Sequence, residues 1–274
     1  MDGGPARLFD AMAERYDELE PWYEHFYERL HASLRREFPA RARGTAERVL
    51  DAGCGSGFQA ARLAALGWTA HGVDVSAGLL AAAQKRLDRP LLALARLESL
   101  PYGDASFDGA VCCGSTLSFV ADPARALAEL GRVLRPGARL LLDGEHKWNL
   151  DLAWMLLLDY GVTAGQVWRA LRRPLREGFE LPYPDYGRLR FFTRAELGAM
   201  LEAAGFTVER VEGIHAVTNV LPSTLLHRER LPSGVGALYR ALCVLDRTLA
   251  PRPPARWLAN SLVIVARRRG GPSR

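Results

Sequence analysis

A glycine-rich segment follows a short apolar run near residue 50, and its residue types suit a nucleotide-like ligand. Residues 49–52 are typical of a buried strand, and glycines occupy positions 53, 55 and 57. Glycine has no Cβ, so the backbone can turn tightly and approach a ligand closely. Asp74 ends the next apolar run, about 20 residues downstream, where a carboxylate accepts hydrogen bonds from a ribose diol. These two features predict a nucleoside-binding crevice.

The residues after the glycines argue against a ligand with phosphates. A triphosphate-binding loop needs Lys followed by Ser or Thr after its last glycine, whereas Phe58 and Gln59 stand here. The dinucleotide fingerprint needs a sixth-position glycine, and the sixth residue counted from Gly53 is Phe58. No Lys or Arg lies in this loop. A nucleoside without phosphates therefore fits these residues better.

Four motifs in this order resemble the class I S-adenosylmethionine-dependent methyltransferases, in the small-molecule, type 11 branch that is similar to quinone-biosynthesis enzymes. They are the glycine turn, Asp74, residues 100–108 (LPYGDASFD) and residues 132–138 (RVLRPGA). The resemblance covers roughly residues 48–143. It implies S-adenosylmethionine as the cofactor and methyl transfer to a small, apolar or aromatic acceptor, with O-, N- and C-methylation all open.

The resemblance also implies where the methionine end of the cofactor binds. Gly53 and Gly55 would approach the methionine moiety, and the Cys113 backbone would lie near the amino group and the sulfonium. Tyr16 belongs to an N-terminal segment that many of these enzymes fold over the cofactor, and it is a further expected contact.

The loop after the third expected strand departs from the family pattern. Asp74 and Val75 would still meet the ribose. Arg96, however, stands where the family usually has an acid that accepts a hydrogen bond from adenine, and arginine has no acceptor. Arg96 could stack on the adenine while the Leu97 backbone contacts the ring edge, Glu98 could substitute, or the adenine could be held loosely. A solvent-directed Arg96 is the remaining alternative.

Short apolar runs alternate with helical stretches, which predicts an α/β fold. We expect a doubly wound, seven-stranded, mostly parallel sheet of the Rossmann-like methyltransferase type, with N-terminal helices and helical lid insertions. Ser76, Asp122 and Thr193 are predicted to cap helices. The expected organisation is a helical cover at 1–45, a cofactor-binding core at 46–146, a helical lid at 147–192 and the rest of the core at 193–274, with a second insertion at 216–256.

A proton acceptor is required if the acceptor atom is a hydroxyl or a protonated amine, whereas in-line positioning supplies much of the remaining acceleration. His146, just past the fifth expected strand, is the predicted catalytic residue. Glu145 beside it and His215 after the sixth expected strand are alternatives. A purely structural role for His146 is also open.

Composition limits the other classes of function. Apolar residues make up 49% and charged residues 24% of the 274 residues, which favours a globular, cytoplasmic enzyme without a secretory signal. The four cysteines lack metal-binding spacing, so we predict no metal. The net charge of +5 favours at most peripheral membrane contact. A non-catalytic S-adenosylmethionine- or nucleoside-binding protein and a nucleic-acid methyltransferase remain as alternatives; we expect a small-molecule substrate and no nucleic acid.

Overall fold

The computed structural model describes residues 5–13, 21–42, 46–158, 161–172, 178–183, 187–226 and 231–270. Its strands form a seven-stranded sheet and a separate two-stranded sheet. In chain order they are β1 (Arg48–Ala52), β2 (Thr69–Asp74), β3 (Leu91–Leu94), β4 (Phe107–Cys112), β5 (Leu134–Glu145), β6 (Phe179–Tyr183), β7 (Gly187–Phe191), β8 (Phe206–Ile214) and β9 (Ser261–Arg268).

The strand order of the large sheet is β3-β2-β1-β4-β5-β9-β8, which confirms the predicted doubly wound, mostly parallel architecture. The first five strands are parallel to their neighbours, and β9 is antiparallel to both β5 and β8. The carboxyl ends of β1 to β5 and of β8 therefore lie at one edge of the sheet, called the carboxyl edge below. In open sheets of this kind, ligands bind outside the carboxyl ends of the strands.

Helices flank the sheet and connect its strands. The three predicted caps are confirmed, because Ser76, Asp122 and Thr193 each accept a hydrogen bond from the amide three residues later. The helices are α1 (Pro5–Met12), α2 (Pro21–Glu37), α3 (Phe58–Ala65), α4 (Ala77–Arg86), α5 (Thr116–Phe119), α6 (Pro123–Val133), α7 (Leu150–Leu158), α8 (Ala164–Arg172), α9 (Arg194–Ala203), α10 (Ser223–Leu226) and α11 (Ser233–Leu249), with 3-10 turns at Thr218–Val220 and Ala255–Leu258.

The strands contribute alternate side chains to two apolar cores, one on each face of the sheet. In β5, Leu140 and Leu142 belong to the core that contains α6 and α9. The intervening Leu141 belongs to the core that contains α2 and α3. Because both faces are covered, the carboxyl edge is the part of the sheet where polar side chains from several strands come together.

The segment expected as a purely helical lid also contains the β6–β7 hairpin. Its side chains alternate, since buried Leu181 follows exposed Glu180 and buried Leu189 precedes Arg190. The expectation of a helical lid at 147–192 did not take this period of two into account. The hairpin packs on α7 through one apolar cluster, in which Leu152, Leu156, Leu181, Leu189 and Phe191 are buried.

Among the described residues, no helix combines the length and the apolar character needed to cross a bilayer. The second insertion, between β8 and β9, contains α10 and α11. Its position at the end of β8 depends on one buried carboxylate.

Asp246 of α11 is completely buried and fixes the chain where it leaves β8. Its oxygens accept hydrogen bonds from the amides of His215 (3.1 Å), Ala216 (2.8 Å) and Val217 (2.7 Å). His25 Nε2 of α2 lies 3.0 Å from Asp246 Oδ2. Burial alone would raise the pKa of this carboxyl, but the His25 and amide hydrogen bonds outweigh it and lower the pKa.

We expect Asp246→Ala to lower the free energy of unfolding by about 3–5 kcal/mol, because three buried amides and His25 lose their acceptor. The carboxylate's contribution should be present above pH 3.8 and should disappear as the pH falls below it, since its folded-state pKa is depressed. Urea denaturation followed by circular dichroism measures both effects. The control is Asp104→Ala, which removes an 80% exposed carboxylate paired with Arg132 and should cost about 1 kcal/mol or less; equal losses for both variants would contradict the assignment.

Candidate functional site

The glycine turn after β1 adopts the backbone conformation that its sequence predicts. Gly53, Gly55 and Gly57 have φ angles of 76°, 51° and 81°, in the left-handed region that favours glycine. The amides of Gly53 and Cys54 both donate to the carbonyl oxygen of Val73, at 2.8 and 3.0 Å. The turn is thus bonded to the end of β2, next to Asp74.

Asp74 is 8% exposed, and its carboxylate joins β2 to the glycine turn. Oδ2 accepts from the Gly55 amide and Oδ1 from the Ser76 amide, both at 2.9 Å. Burial raises the pKa of Asp74, and these amide hydrogen bonds partly offset the increase. Asp74 is thus buried and holds the turn even without a ligand. The Val75 amide donates to it as well, and the carboxylate keeps an acceptor position for a ribose hydroxyl.

Asp51, at the carboxyl end of β1, is a candidate that the sequence interpretation missed. It is 1% exposed, and one hydrogen bond from the Ala60 amide reaches its carboxylate. Its Oδ2 has no hydrogen-bond partner within the described part of the chain. Burial, with a smaller contribution from the charge of Asp74, raises its pKa to about 7. An acid ending an apolar run directly before the glycines was the signal available in the sequence.

The space that the absent side chain of Gly53 leaves is filled by the protein itself. A Cβ at Gly53 would lie 2.2 Å from the Thr116 methyl group of α5. The Thr116 hydroxyl in turn donates to the Cys113 carbonyl at 2.9 Å. Cys113 is buried, and burial raises the pKa of its thiol, so only its backbone is suited to meet a ligand. Cofactor contacts by Gly53 and Cys113 stay predictions.

The residues expected near the adenine and ribose differ in how far their side chains are exposed to solvent. Arg96 is 59% exposed at its side chain and lies 3.0 Å from Glu98 Oε1. The side chain of Leu97 is in the core, which leaves its backbone for a ring edge. Val75 follows Asp74 and is partly exposed. The exposed, ion-paired Arg96 agrees with the solvent-directed alternative.

Helix α1 lies across the carboxyl edge, between α4 and α5. The Asp10 carboxylate accepts hydrogen bonds from the Ser76 hydroxyl and the Gly78 amide at the start of α4. At the other side, the Phe9 ring makes an edge-to-face contact with Phe119 of α5, with 5.5 Å between centroids. Tyr16 lies outside the described residues. That this N-terminal segment covers the cofactor stays a prediction.

Two acids at the carboxyl end of β5, Asp143 and Glu145, form an acidic cluster with the turn that follows β4. Asp143 is fully buried and accepts from the amides of Gly114 (2.7 Å) and Ser115 (2.9 Å). The Ser115 hydroxyl donates to Glu145 Oε1 at 2.7 Å. Burial raises the pKa of Asp143 to about 6 and that of Glu145 to about 8, the latter with a contribution from Asp143. Glu145 therefore titrates near neutral pH beside the turn that follows β4.

His146 follows Glu145 in the chain, but its hydrogen bonds are made to the residues that directly precede β9. It is 3% exposed, its amide donates to the Asn260 carbonyl, and its Nδ1 lies 3.1 Å from the Ala259 carbonyl oxygen. Since a carbonyl only accepts, Nδ1 carries the proton. Burial lowers the pKa of His146 to about 4. His215 is fully buried and stacks on Trp22, which is a structural arrangement.

A family model described as a methyltransferase domain matches residues 50–142, which include the glycine turn, Asp51 and Asp74. Asp143 and Glu145 lie just beyond that match.

Two curated relatives are similar over different lengths. A 2-phytyl-1,4-naphtoquinone methyltransferase of Nostoc punctiforme is 36% identical over 150 residues, which cover 51% of this chain and 64% of that protein. The matched region thus spans less than two thirds of that relative. A demethylmenaquinone methyltransferase of Clavibacter sepedonicus is 28% identical over 257 residues, which cover 92% of this chain and 96% of that protein.

A solved structure supports the fold over nearly the whole chain. The Burkholderia thailandensis 1,6-didemethyltoxoflavin-N1-methyltransferase, with bound 1,6-didemethyltoxoflavin and S-adenosylhomocysteine, has a TM-score of 0.56 and 20% identity. The superposition covers 97% of this chain and 88% of that one. The sheet order, the glycine turn and the matched domain together make this chain similar to the class I S-adenosylmethionine-dependent methyltransferases, in the branch similar to quinone-biosynthesis enzymes.

Proposed function

We propose that this protein transfers the methyl group of S-adenosylmethionine to the ring of a naphthoquinone-derived acceptor. One observation carries the proposal: beside the glycine turn, a buried carboxylate oxygen of Asp51 has no hydrogen-bond partner among the residues that the structure describes. Leaving such an oxygen unsatisfied is costly, and the ammonium group of an amino-acid ligand would satisfy it. A nucleoside that carries an amino-acid chain therefore fits this edge better than a nucleotide does.

The residues around the turn fit the other parts of the cofactor. The Asp74 carboxylate accepts from the amides of Gly55, Val75 and Ser76, which keep the turn in place, and an acceptor position remains for a ribose hydroxyl. No Lys or Arg lies in the turn, so nothing in it is suited to a pyrophosphate. When bound, S-adenosylmethionine supplies a methyl group that its sulfonium has already activated for displacement. The protein's main contribution is then to hold the acceptor in line.

The acceptor class rests on the relatives and on the apolar surroundings of the edge. The names of the two relatives describe naphthoquinone-type substrates, and one of them matches nearly the whole chain. The apolar cluster of α7 and the β6–β7 hairpin packs on Phe119 of α5, directly after the β4 turn. An aromatic, apolar acceptor is compatible with such a neighbourhood, because its burial is favourable there.

Glu145 is the better-placed proton acceptor for this chemistry. Methylation of a ring carbon or a hydroxyl releases a proton, and efficient acid–base catalysis needs a group whose pKa lies near the working pH. Glu145, with a pKa raised to about 8, meets this requirement beside Ser115. His146, with a pKa lowered to about 4, is a weak base, and its catalytic role stays a prediction.

The proposed reaction is tested with methyl-labelled S-adenosylmethionine and a 1,4-naphthoquinol that carries an isoprenoid chain and a free ring position. We expect one methyl group to enter the naphthoquinol, detected by mass spectrometry. The matched control is the same naphthoquinol already methylated at that position, which should stay unlabelled. Label in neither compound, or label in added RNA or DNA instead, would contradict the proposal.

Asp51→Asn should weaken S-adenosylhomocysteine binding by about tenfold or more, because it removes the charge that pairs with the ligand ammonium. The pKa of about 7 that Asp51 has without a ligand also predicts that the affinity for S-adenosylhomocysteine depends on pH. A bound cation favours the ionised carboxyl, so wild-type affinity should fall below pH 7, by up to about tenfold per pH unit. Calorimetric titration at several pH values measures this slope.

The Asp51→Asn variant should lose the pH slope as well as the affinity. Asp104→Asn, at an exposed position far along the chain, should keep both. If Asp51→Asn binds like the wild type with an unchanged slope, Asp51 does not contact the ligand.

The initial rate of methyl transfer should rise with pH through about 8, as Glu145 loses its proton. Glu145→Gln should be slower by about 10²–10⁴-fold and should lack this rise. His146→Gln is the neighbouring control and should keep the rise. The opposite pattern, with the rise retained in Glu145→Gln and turnover abolished in His146→Gln, would make His146 the proton acceptor.

A further inference from the structure

The outward face of α11 contains no charged residue. Four large apolar side chains on it are 44–59% exposed: Leu238, Val244, Leu245 and Leu249. Small or uncharged residues fill the space between them, at Ala237, Ala241 and Thr248. We call these seven residues the α11 face. A contiguous exposed apolar surface of this kind usually marks an interaction site.

The α11 face is not the side on which the helix packs. Tyr239, Cys243 and Asp246 are buried on the inner side, at helical spacing, and Asp246 bonds to the chain after β8. The helix is therefore firmly attached through one stripe while it exposes another. An ordinary surface helix would place charged side chains on the outer stripe.

The apolar surface continues beyond the helix. In the 3-10 turn Ala255–Leu258, Trp257 is 49% and Leu258 is 52% exposed. Ala255 of the same turn packs against the cluster that contains Ala250, at the end of α11. Trp257 is thus attached close to the end of the α11 face, and tryptophan is a residue that favours membrane–water interfaces.

The charge of this region is positive. Residues 231–258 contain four arginines and one acid, and that acid is the buried Asp246. Arg240 and Arg252 are exposed. Arg247 lies 2.6 Å from Glu28 of α2, and Glu24 and Glu28 line a groove between α2 and α11 on that flank. Val244 of the α11 face borders this groove, where Arg240 and Arg247 lie opposite the two glutamates, and the rest of the apolar stripe lies outside the groove.

We propose that the α11 face, with Trp257 and Leu258, docks on an anionic phospholipid bilayer. An amphipathic helix with an apolar face, flanking arginines and a tryptophan lies in the bilayer interface, and anionic headgroups complement its charge. A second copy of this chain fits less well, because a two-fold contact through α11 would bring the same arginines together. The contact would be peripheral.

The α11 face belongs to a helix that is attached to the carboxyl edge of the sheet. Asp246 attaches α11 to residues 215–217, which directly follow β8 at the carboxyl edge. A bilayer on the α11 face would therefore lie beside the edge that carries Asp51, Asp74 and Glu145. This inference goes beyond the proposed reaction and stands without it, because membrane binding is measured separately from methyl transfer.

The test is co-sedimentation of the full chain with vesicles of phosphatidylcholine alone or with added phosphatidylglycerol. We expect binding to the anionic vesicles, at least about tenfold stronger than to phosphatidylcholine, and weaker at high salt. The double variant Leu245→Glu/Leu249→Glu should lose about tenfold or more of this binding. Because both positions are exposed, its circular dichroism spectrum and melting temperature should match the wild type.

The matched control is Leu91→Glu, a 41% exposed leucine on β3 at the opposite flank of the sheet, which should bind vesicles like the wild type. Equal binding of the double variant and the wild type would overturn the proposal, as would equal binding to both vesicle types. Absence of vesicle binding, with a dimer in the wild type that the double variant loses, would assign the face to a second copy instead.

Discussion

The two hydrogen bonds that the Asp74 carboxylate accepts from Gly55 and Ser76 constrain the whole carboxyl edge. They join the glycine turn after β1 to the end of β2 and to the start of α4. The Ser76 hydroxyl then caps α4 and donates to Asp10 of α1. One buried carboxylate thereby fixes the turn, one helix start and the helix that crosses the edge, and any ligand there binds to an arrangement that already exists.

This arrangement explains why the site contains carboxyl groups with raised pKa values. Asp51, Asp143 and Glu145 lie at strand ends where burial disfavours their ionised forms. Neighbouring amides donate hydrogen bonds to these carboxylates, but within the described part of the chain no donor reaches Asp51 Oδ2. In the proposed complex a cationic ligand pairs with Asp51, so the buried carboxylates that are costly without a ligand would favour a ligand that carries a positive charge.

The sequence predicted the core well because its signals are local. Helix caps such as Ser76, the positive φ of Gly55 and the apolar runs of the parallel strands depend on residues close together in the chain. The sequence predicted the site less well where contacts between distant parts of the chain determine its geometry. That Thr116 fills the space beside Gly53, or that Asp246 accepts amides some thirty residues away, follows from tertiary contacts alone. The β6–β7 hairpin was not predicted, although apolar Phe179, Leu181, Leu189 and Phe191 alternate with other residues in its strands, because the whole segment was expected to be helical.

The proposed function requires that the carboxyl edge bind a nucleoside carrying an ammonium group in preference to phosphate-bearing nucleotides. Calorimetric titration of the wild-type protein with S-adenosylhomocysteine, NAD and ATP measures this preference. We expect saturable one-to-one binding of S-adenosylhomocysteine and at least about hundredfold weaker binding of NAD and ATP, since the turn itself contains no lysine or arginine to pair with a phosphate. Equal or tighter binding of NAD or ATP would contradict it.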